Sequence, residues 1–169
     1  VTKELLSKIQ KIKLIKDKIK EIEKRYRLRK ELATQIIKQG IDFNYFSKKY
    51  AQLNSIFLAQ TLIETPKEIK KRYHLDITLN LIEQPLNMLN KGDIKKEAVF
   101  EILVELAKGK KLNYDKYKPL SEKEIIKDIK EIIKKNKGAS INALMGQVMS
   151  KFRGKIDGNK AINILKKYS

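Results

Sequence analysis

The chain has 169 residues, with 39 Lys and Arg against 20 Asp and Glu, a formal charge of +19 with the single His neutral. Cys and Trp are absent, which excludes disulfides, thiolate zinc sites and Cys nucleophiles. No window approaches the roughly 20 apolar residues of a membrane span, while 41% apolar residues at regular spacing exclude a disordered chain and suffice for one ordinary domain or two small ones.

Apolar residues recur at helical spacing almost everywhere and nowhere sustain a period of two, so the fold class is all-α. Leu5, Ile9, Ile12, Ile15, Ile19 and Ile22 form one stripe of a first helix whose other faces carry Lys and Glu. A second helix runs from about Arg29 to Lys38, with Leu32, Ile36 and Ile37 inward and Gly40 just past its end. Asp42 to Tyr50 reads as a short aromatic helix, and Ser55 to Tyr73 as a longer one that Pro66 is expected to kink or break. Pro85 suits the first turn of a short helix to Leu89, stopped by Gly92. Asp93 or Ile94 then opens a helix through Ala98, Ile102, Leu103 and Leu106 to Gly109. Lys110 to Pro119 carries no period, and the domain boundary is expected there: a helical bundle domain over 1–118 and a small three-helix tail over 119–169. Ser121 and Glu124 fit a capping box before Ile125, Ile129, Ile132 and Ile133. Ser140 and Asp157 cap two further helices, lined by Leu144, Met145, Val148, Met149 and Phe152 and by Ala161, Ile164, Leu165 and Tyr168.

The charge is uneven. Residues 1–38 carry 13 basic and 5 acidic side chains, residues 39–120 carry 14 and 10, and residues 121–169 carry 12 and 5. With 34 Lys to 5 Arg, and 24 Ile, part of the excess fits compositional bias or high-temperature habit. Around the turn between the last two helices, Lys151, Arg153, Lys155 and Lys160 lie among Gly154 and Gly158. Two readings stand side by side: a solvated Lys-rich surface, or a phosphate site in which the glycines let backbone amides approach and the helix dipole assists.

Catalytic constellations are missing. His74 is the single His, and Glu64, Glu68, Glu97, Glu101 and Glu105 stand at helical spacings beside Lys, as surface ion pairs do. There is no phosphate loop and no Ser-x-x-Lys or Gly-x-Ser-x-Gly element. No catalytic, metal or cofactor-binding residue is therefore assigned. Tyr26, Tyr45 and Tyr50 lie near basic residues and could either pack or stack on RNA bases. Val1-Thr2-Lys3-Glu4 has neither an initiator Met nor an apolar signal core, as expected of a fragment or processed intracellular chain.

The run Ala143-Leu144-Met145-Gly146-Gln147-Val148-Met149, followed by Arg153-Gly154-Lys155-Ile156-Asp157-Gly158, resembles the tail domain shared by tRNA-binding subunits of Glu-tRNA(Gln) amidotransferases and by YqeY-like proteins. Ile156 stands where that family usually has Ala. Lys91-Gly92-Asp93-Ile94 and the helix after it are also similar to the family. Leu58-Ala59-Gln60-Thr61-Leu62-Ile63-Glu64-Thr65 is similar to the archaeal E-type member, and the bacterial B-type member usually has an Asn-Trp-Ile segment there. Val1 to Leu6 looks like the point where an E-type member leaves its catalytic cradle.

The resemblance implies a cytoplasmic ligase component of which this chain supplies the helical and tail domains. The full E-type polypeptide would use ATP and magnesium to phosphorylate the γ-carboxylate of misacylated Glu-tRNA(Gln). Ammonia from a glutamine-hydrolysing partner, the D-type component of the amidotransferase, would then replace the phosphate and give Gln-tRNA(Gln). The tail would meet the outer corner of tRNA(Gln), on the D-loop side, through Lys151, Arg153, Gly154, Lys155, Gly158, Asn159 and Lys160. Some of Arg25, Arg27, Arg29, Lys48 and Lys49 would track nearby backbone. A membrane and duplex DNA are not expected partners. The alternative is a non-catalytic all-α adaptor whose basic surface keeps it soluble and whose apolar stripes bind partner helices.

Overall fold

A computed structural model describes residues 2–169, apart from the side chain of Tyr114; Val1, the first residue of the segment expected to resemble a cradle exit, lies outside the described residues. The chain is all α-helical and divides into two compact units, the first ending at Ile82 and the second running Glu83–Ser169. The break expected at 118/119 lies inside the second unit.

Five helices come first: α1 (Lys3–Tyr26), α2 (Lys30–Lys38), α3 (Phe43–Lys49), α4 (Ser55–Tyr73) and α5 (Leu79–Lys91), the division of the units falling within α5. In the first unit α2 packs on both α1 and α4, and α3 packs on α4. Leu32, Ala33 and Ile36 of α2 and Leu58, Ala59, Leu62 and Ile63 of α4 are buried. Helices α3 and α4 start where a short polar side chain can take an otherwise orphaned amide: Asp42 accepts from Tyr45 N at 3.0 Å and Asn54 from Ile56 N at 2.9 Å. His74 closes α4 in the left-handed conformation at φ 56°, its amide donating to the Lys70 carbonyl. The single His is thus placed as a helix cap.

At three places the tertiary structure adds to or changes what the residues suggest. The α1 stripe is buried only at Ile22, whereas Leu5, Ile9 and Ile12 stay about half exposed at 49%, 53% and 54%. The cause is length: 24 residues span about 36 Å and the nine of its partner α2 only about 14 Å, so the first turns of α1 run past their cover. Pro66 does not break α4, which continues to Tyr73 because Leu62 and Ile63 before it and Ile69 after it are all buried. Pro85 lies inside α5, which begins six residues earlier, where the Thr78 hydroxyl and carbonyl both accept from Leu81 N. One lost backbone hydrogen bond per proline is tolerated where burial on both sides of it holds the helix.

The second unit continues with a 3-10 turn at Lys96–Ala98, which delays α6 to Val99–Ala107, and a second 3-10 turn at Tyr114–Tyr117. That second turn occupies the segment read as aperiodic. Tyr117 is fully buried and Lys116 reaches back to Glu101 at 2.8 Å and Glu105 at 3.1 Å, fastening the segment to α6. Burial first, and then the hydrogen bond to Glu105, push the Tyr117 phenol up to about 12. The same carboxylates, Glu101 foremost, hold Lys116 above the ordinary lysine range against its own desolvation.

The tail is α7 (Glu122–Lys135), α8 (Ile141–Lys151) and α9 (Gly158–Tyr168). The capping box is present: Ser121 N donates to the Glu124 carboxylate at 2.9 Å and Glu124 N to the Ser121 hydroxyl at 3.3 Å. Ile125, Ile129, Leu144, Val148, Phe152, Ile156, Ala161 and Leu165 form its core. Among the described residues no helix is long and apolar enough to cross a membrane.

Candidate nucleic-acid interface

The α8–α9 turn brings the seven residues singled out in the sequence into one stretch but gives them different work. Lys151 ends α8 and pairs with Asp128 of α7 at 2.8 Å, and Lys160 in the first turn of α9 pairs with Glu122 at 3.2 Å. Gly154 is buried, at φ +71°, and a Cβ there would stand 3.2 Å from Ala98 Cα, 3.4 Å from Ala98 Cβ and 3.6 Å from Tyr117 Cδ1. The space it leaves is filled by the protein itself, so its missing side chain serves packing. Gly158 opens α9, with the Met145 methyl 3.6 Å from its virtual Cβ. Asp157 occupies the amide end of α9, its carboxylate accepting from Asn159 N at 2.7 Å, and Lys155 N donates to the Phe152 carbonyl at 2.9 Å. What the turn offers an anion is therefore the exposed Arg153 guanidinium and the half-buried Lys155 ammonium, rather than an empty cradle of amides.

A second basic concavity, which the sequence reading missed, lies at the opposite end of α9. A groove of about 600 Å³ is lined by Lys130, Ile133, Lys134, Asn136, Lys137, Leu144 and Tyr168, among others. Its signal in the sequence is Lys130 and Lys134 four residues apart on α7, with Lys137 in the turn after it.

In the first unit Arg25 and Arg29, among the candidate cations, have polar side-chain partners. Arg25 meets Glu21 at 3.4 Å and Asn44 at 3.2 Å, Arg29 meets Glu64 at 2.9 Å, and Arg27 closes α1 in the left-handed conformation. Tyr50 is buried, and Tyr26 packs edge-on against Phe43 with ring centroids 4.9 Å apart; Tyr45 stays exposed with Lys49 over its ring at 5.4 Å. Four of the carboxylates are ion-paired, but only Glu68 with Arg72 at the helical spacing the sequence suggested; Glu64 pairs with Arg29, and Glu101 and Glu105 with Lys116, across elements distant in sequence.

A family model for the GatB domain matches residues 31–168, most of the chain. The chain belongs to the GatB domain family. Among curated proteins, the GatB-family chain is 37% identical over 75% of its length to the E subunit of glutamyl-tRNA(Gln) amidotransferase from Sulfurisphaera tokodaii, 22% of which is covered. It is 33% identical over 91% of its length to the E subunit from Methanocaldococcus jannaschii, covering 27% of that protein. It is 30% identical over 82% of its length to the E subunit from Sulfolobus acidocaldarius, covering 24%. The chain thus spans about a quarter of the length of the curated relatives it matches. No solved structure matches it.

Within this GatB-family tail, Ile156 in place of the resemblance's usual Ala has a direct structural account: its side chain is buried in the tail core. Among the described residues no group of three or more His, Cys, Asp or Glu side chains could hold a metal ion.

Proposed function

We propose that this chain is the tRNA-holding part of an E-type Glu-tRNA(Gln) amidotransferase polypeptide, and that it positions misacylated Glu-tRNA(Gln) for conversion to Gln-tRNA(Gln). The observation that carries the reading is the similarity to curated E subunits along most of the chain. On this reading ATP and magnesium act in the part of the E-type polypeptide that this chain does not span, ammonia comes from the glutamine-hydrolysing D-type partner, and no step of the chemistry runs through residues described here. The α8–α9 turn meets the outer, D-loop side of tRNA(Gln) through Arg153 and Lys155, with Lys151, Asn159 and Lys160 beside them. Gly154 and Gly158 shape the turn. Recognition of this kind uses phosphate contacts and shape, which a rigid helical frame presents without reading base edges.

The test is tRNA affinity of an Arg153→Glu, Lys155→Glu double variant across a salt series. The wild-type affinity falls with log salt in proportion to the phosphates neutralised, and the double variant binds about ten-fold or more weakly with a shallower slope. Equal binding by variant and wild type at moderate salt refutes the turn as a contact.

A second reading rests on the half-exposed stripe of α1. Leu5, Ile9, Ile12 and Ile15 continue the buried face of Ile22 beyond its cover, as the docking face of a protein-interaction adaptor would. It is favoured if the chain binds no tRNA but binds the D-type partner stably, with that binding lost on an Ile9→Asp, Ile12→Asp change.

A further inference from the structure

The groove at the far end of α9 combines three features. It is a concavity of about 600 Å³, inside the range of ~300–1,000 Å³ typical of ligand sites. Its cations are free of carboxylates: Lys130, Lys134 and Lys137 make no ion pair among the described residues, whereas Lys151 and Lys160 at the other end do. It also carries an aromatic face, since the Lys130 ammonium stands 4.1 Å from the Tyr168 ring centroid and the Lys167 ammonium 5.4 Å.

The walls are set before any ligand arrives. Asn136 and Gln147 exchange amide hydrogen bonds at 3.0 and 3.1 Å, and Asn136 Nδ2 also donates to the Ile132 carbonyl at 2.8 Å, which fastens the turn bearing Lys137 to α7 and α8. Leu144 forms an apolar floor.

From this geometry we infer that the groove takes one unpaired RNA nucleotide, its base on the Tyr168 ring and its flanking phosphates on Lys130, Lys134 and Lys137. The inference rests on the reading of the chain as an RNA binder and adds a second contact to it, at the other end of the tail. A nucleotide fits the chemistry better than a bare phosphate because it replaces both halves of the Lys130–Tyr168 contact. The base takes the ring face, and the displaced ammonium keeps an anion. It fits better than an acidic peptide because the Tyr168 face and the Leu144 floor match a flat π surface.

The experiment uses the full chain, a fluorescent short oligouridylate, a fluorescent tRNA and an unlabelled polyglutamate competitor. Tyr168→Phe keeps the ring and binds oligouridylate as the wild type does, while Tyr168→Ala binds about five-fold or more weakly, the loss of one stacked base. Lys134→Glu, Lys137→Glu lowers affinity about ten-fold or more and flattens the salt dependence. Both lysines are exposed, so this variant keeps the tail core and carries the test if Tyr168→Ala unfolds. The inference is overturned if the double lysine variant binds oligouridylate undiminished, if Tyr168→Phe is as weak as Tyr168→Ala, or if polyglutamate competes as well as RNA. Wild type that binds tRNA while groove variants bind both RNAs normally removes the groove alone; wild type that binds neither RNA removes the tRNA reading with it.

Discussion

Gly154→Ala separates two meanings of a glycine that in sequence looks like part of a phosphate site. In the structure its backbone sits at φ +71°, and the added methyl would stand 3.2 Å from Ala98 Cα, a backbone atom where a 3-10 turn runs into α6 and has little room to yield. Two costs follow. Holding Ala in the left-handed region costs about 1–2 kcal/mol, and forcing a methyl into a filled space costs about 1–3 kcal/mol more. Gly138→Ala is the control, because Gly138 has a similar φ of +83° but nothing within 4 Å of its virtual Cβ, so only the first cost applies. Urea denaturation followed by far-ultraviolet circular dichroism should therefore place Gly154→Ala at least about 1 kcal/mol below Gly138→Ala, or several degrees in a thermal melt of a domain this size. Where both variants remain folded they should bind tRNA alike, since the methyl faces Ala98 and Tyr117 rather than a ligand. Equal destabilisation of the two variants would refute the packing account. A selective loss of tRNA binding in folded Gly154→Ala would restore the phosphate reading.

Two further outcomes follow from the second unit. Tyr117 has its phenol raised from its ordinary value to about 12 and Lys116 is raised as well, so the folded state holds more protons than the unfolded state above about pH 10. Their stabilisation is complete below that pH; the Tyr117 share is lost as pH rises through about 12 and the Lys116 share at still higher pH, and Tyr117→Phe should show a smaller loss through that first window in urea melts. Ser121→Ala should cost about 1 kcal/mol by removing the capping box, and Glu124→Ala added to it should cost clearly less than Glu124→Ala alone, because the two side chains satisfy each other.

Helical period, polar caps and the tail core were legible from the residues alone, because each is written locally: a hydroxyl or carboxylate before an apolar stripe, and apolar side chains three and four apart. The all-α class, the Ser121–Glu124 box and the inward set Ile125, Ile129, Leu144, Val148, Phe152, Ala161, Ile164 and Leu165 are of this kind. Prolines were misleading for the same reason. Pro66 and Pro85 carry a local penalty that only the buried residues around them outweigh.

The rest depended on partners distant in sequence. Gly154 looked like an open cradle until Ala98 and Tyr117 were found filling its space, and Lys151 and Lys160 looked like free cations until Asp128 and Glu122 were found beside them. Conversely, Lys130, Lys134 and Lys137 looked like plain solvated lysines, and only packing α9 against α7 set Tyr168 among them. The sequence by itself determined which residues are helical, apolar and positively charged. Which charges remain unneutralised, and which lie around a concave surface, was decided by tertiary structure, because both depend on the through-space distance to a residue elsewhere in the chain.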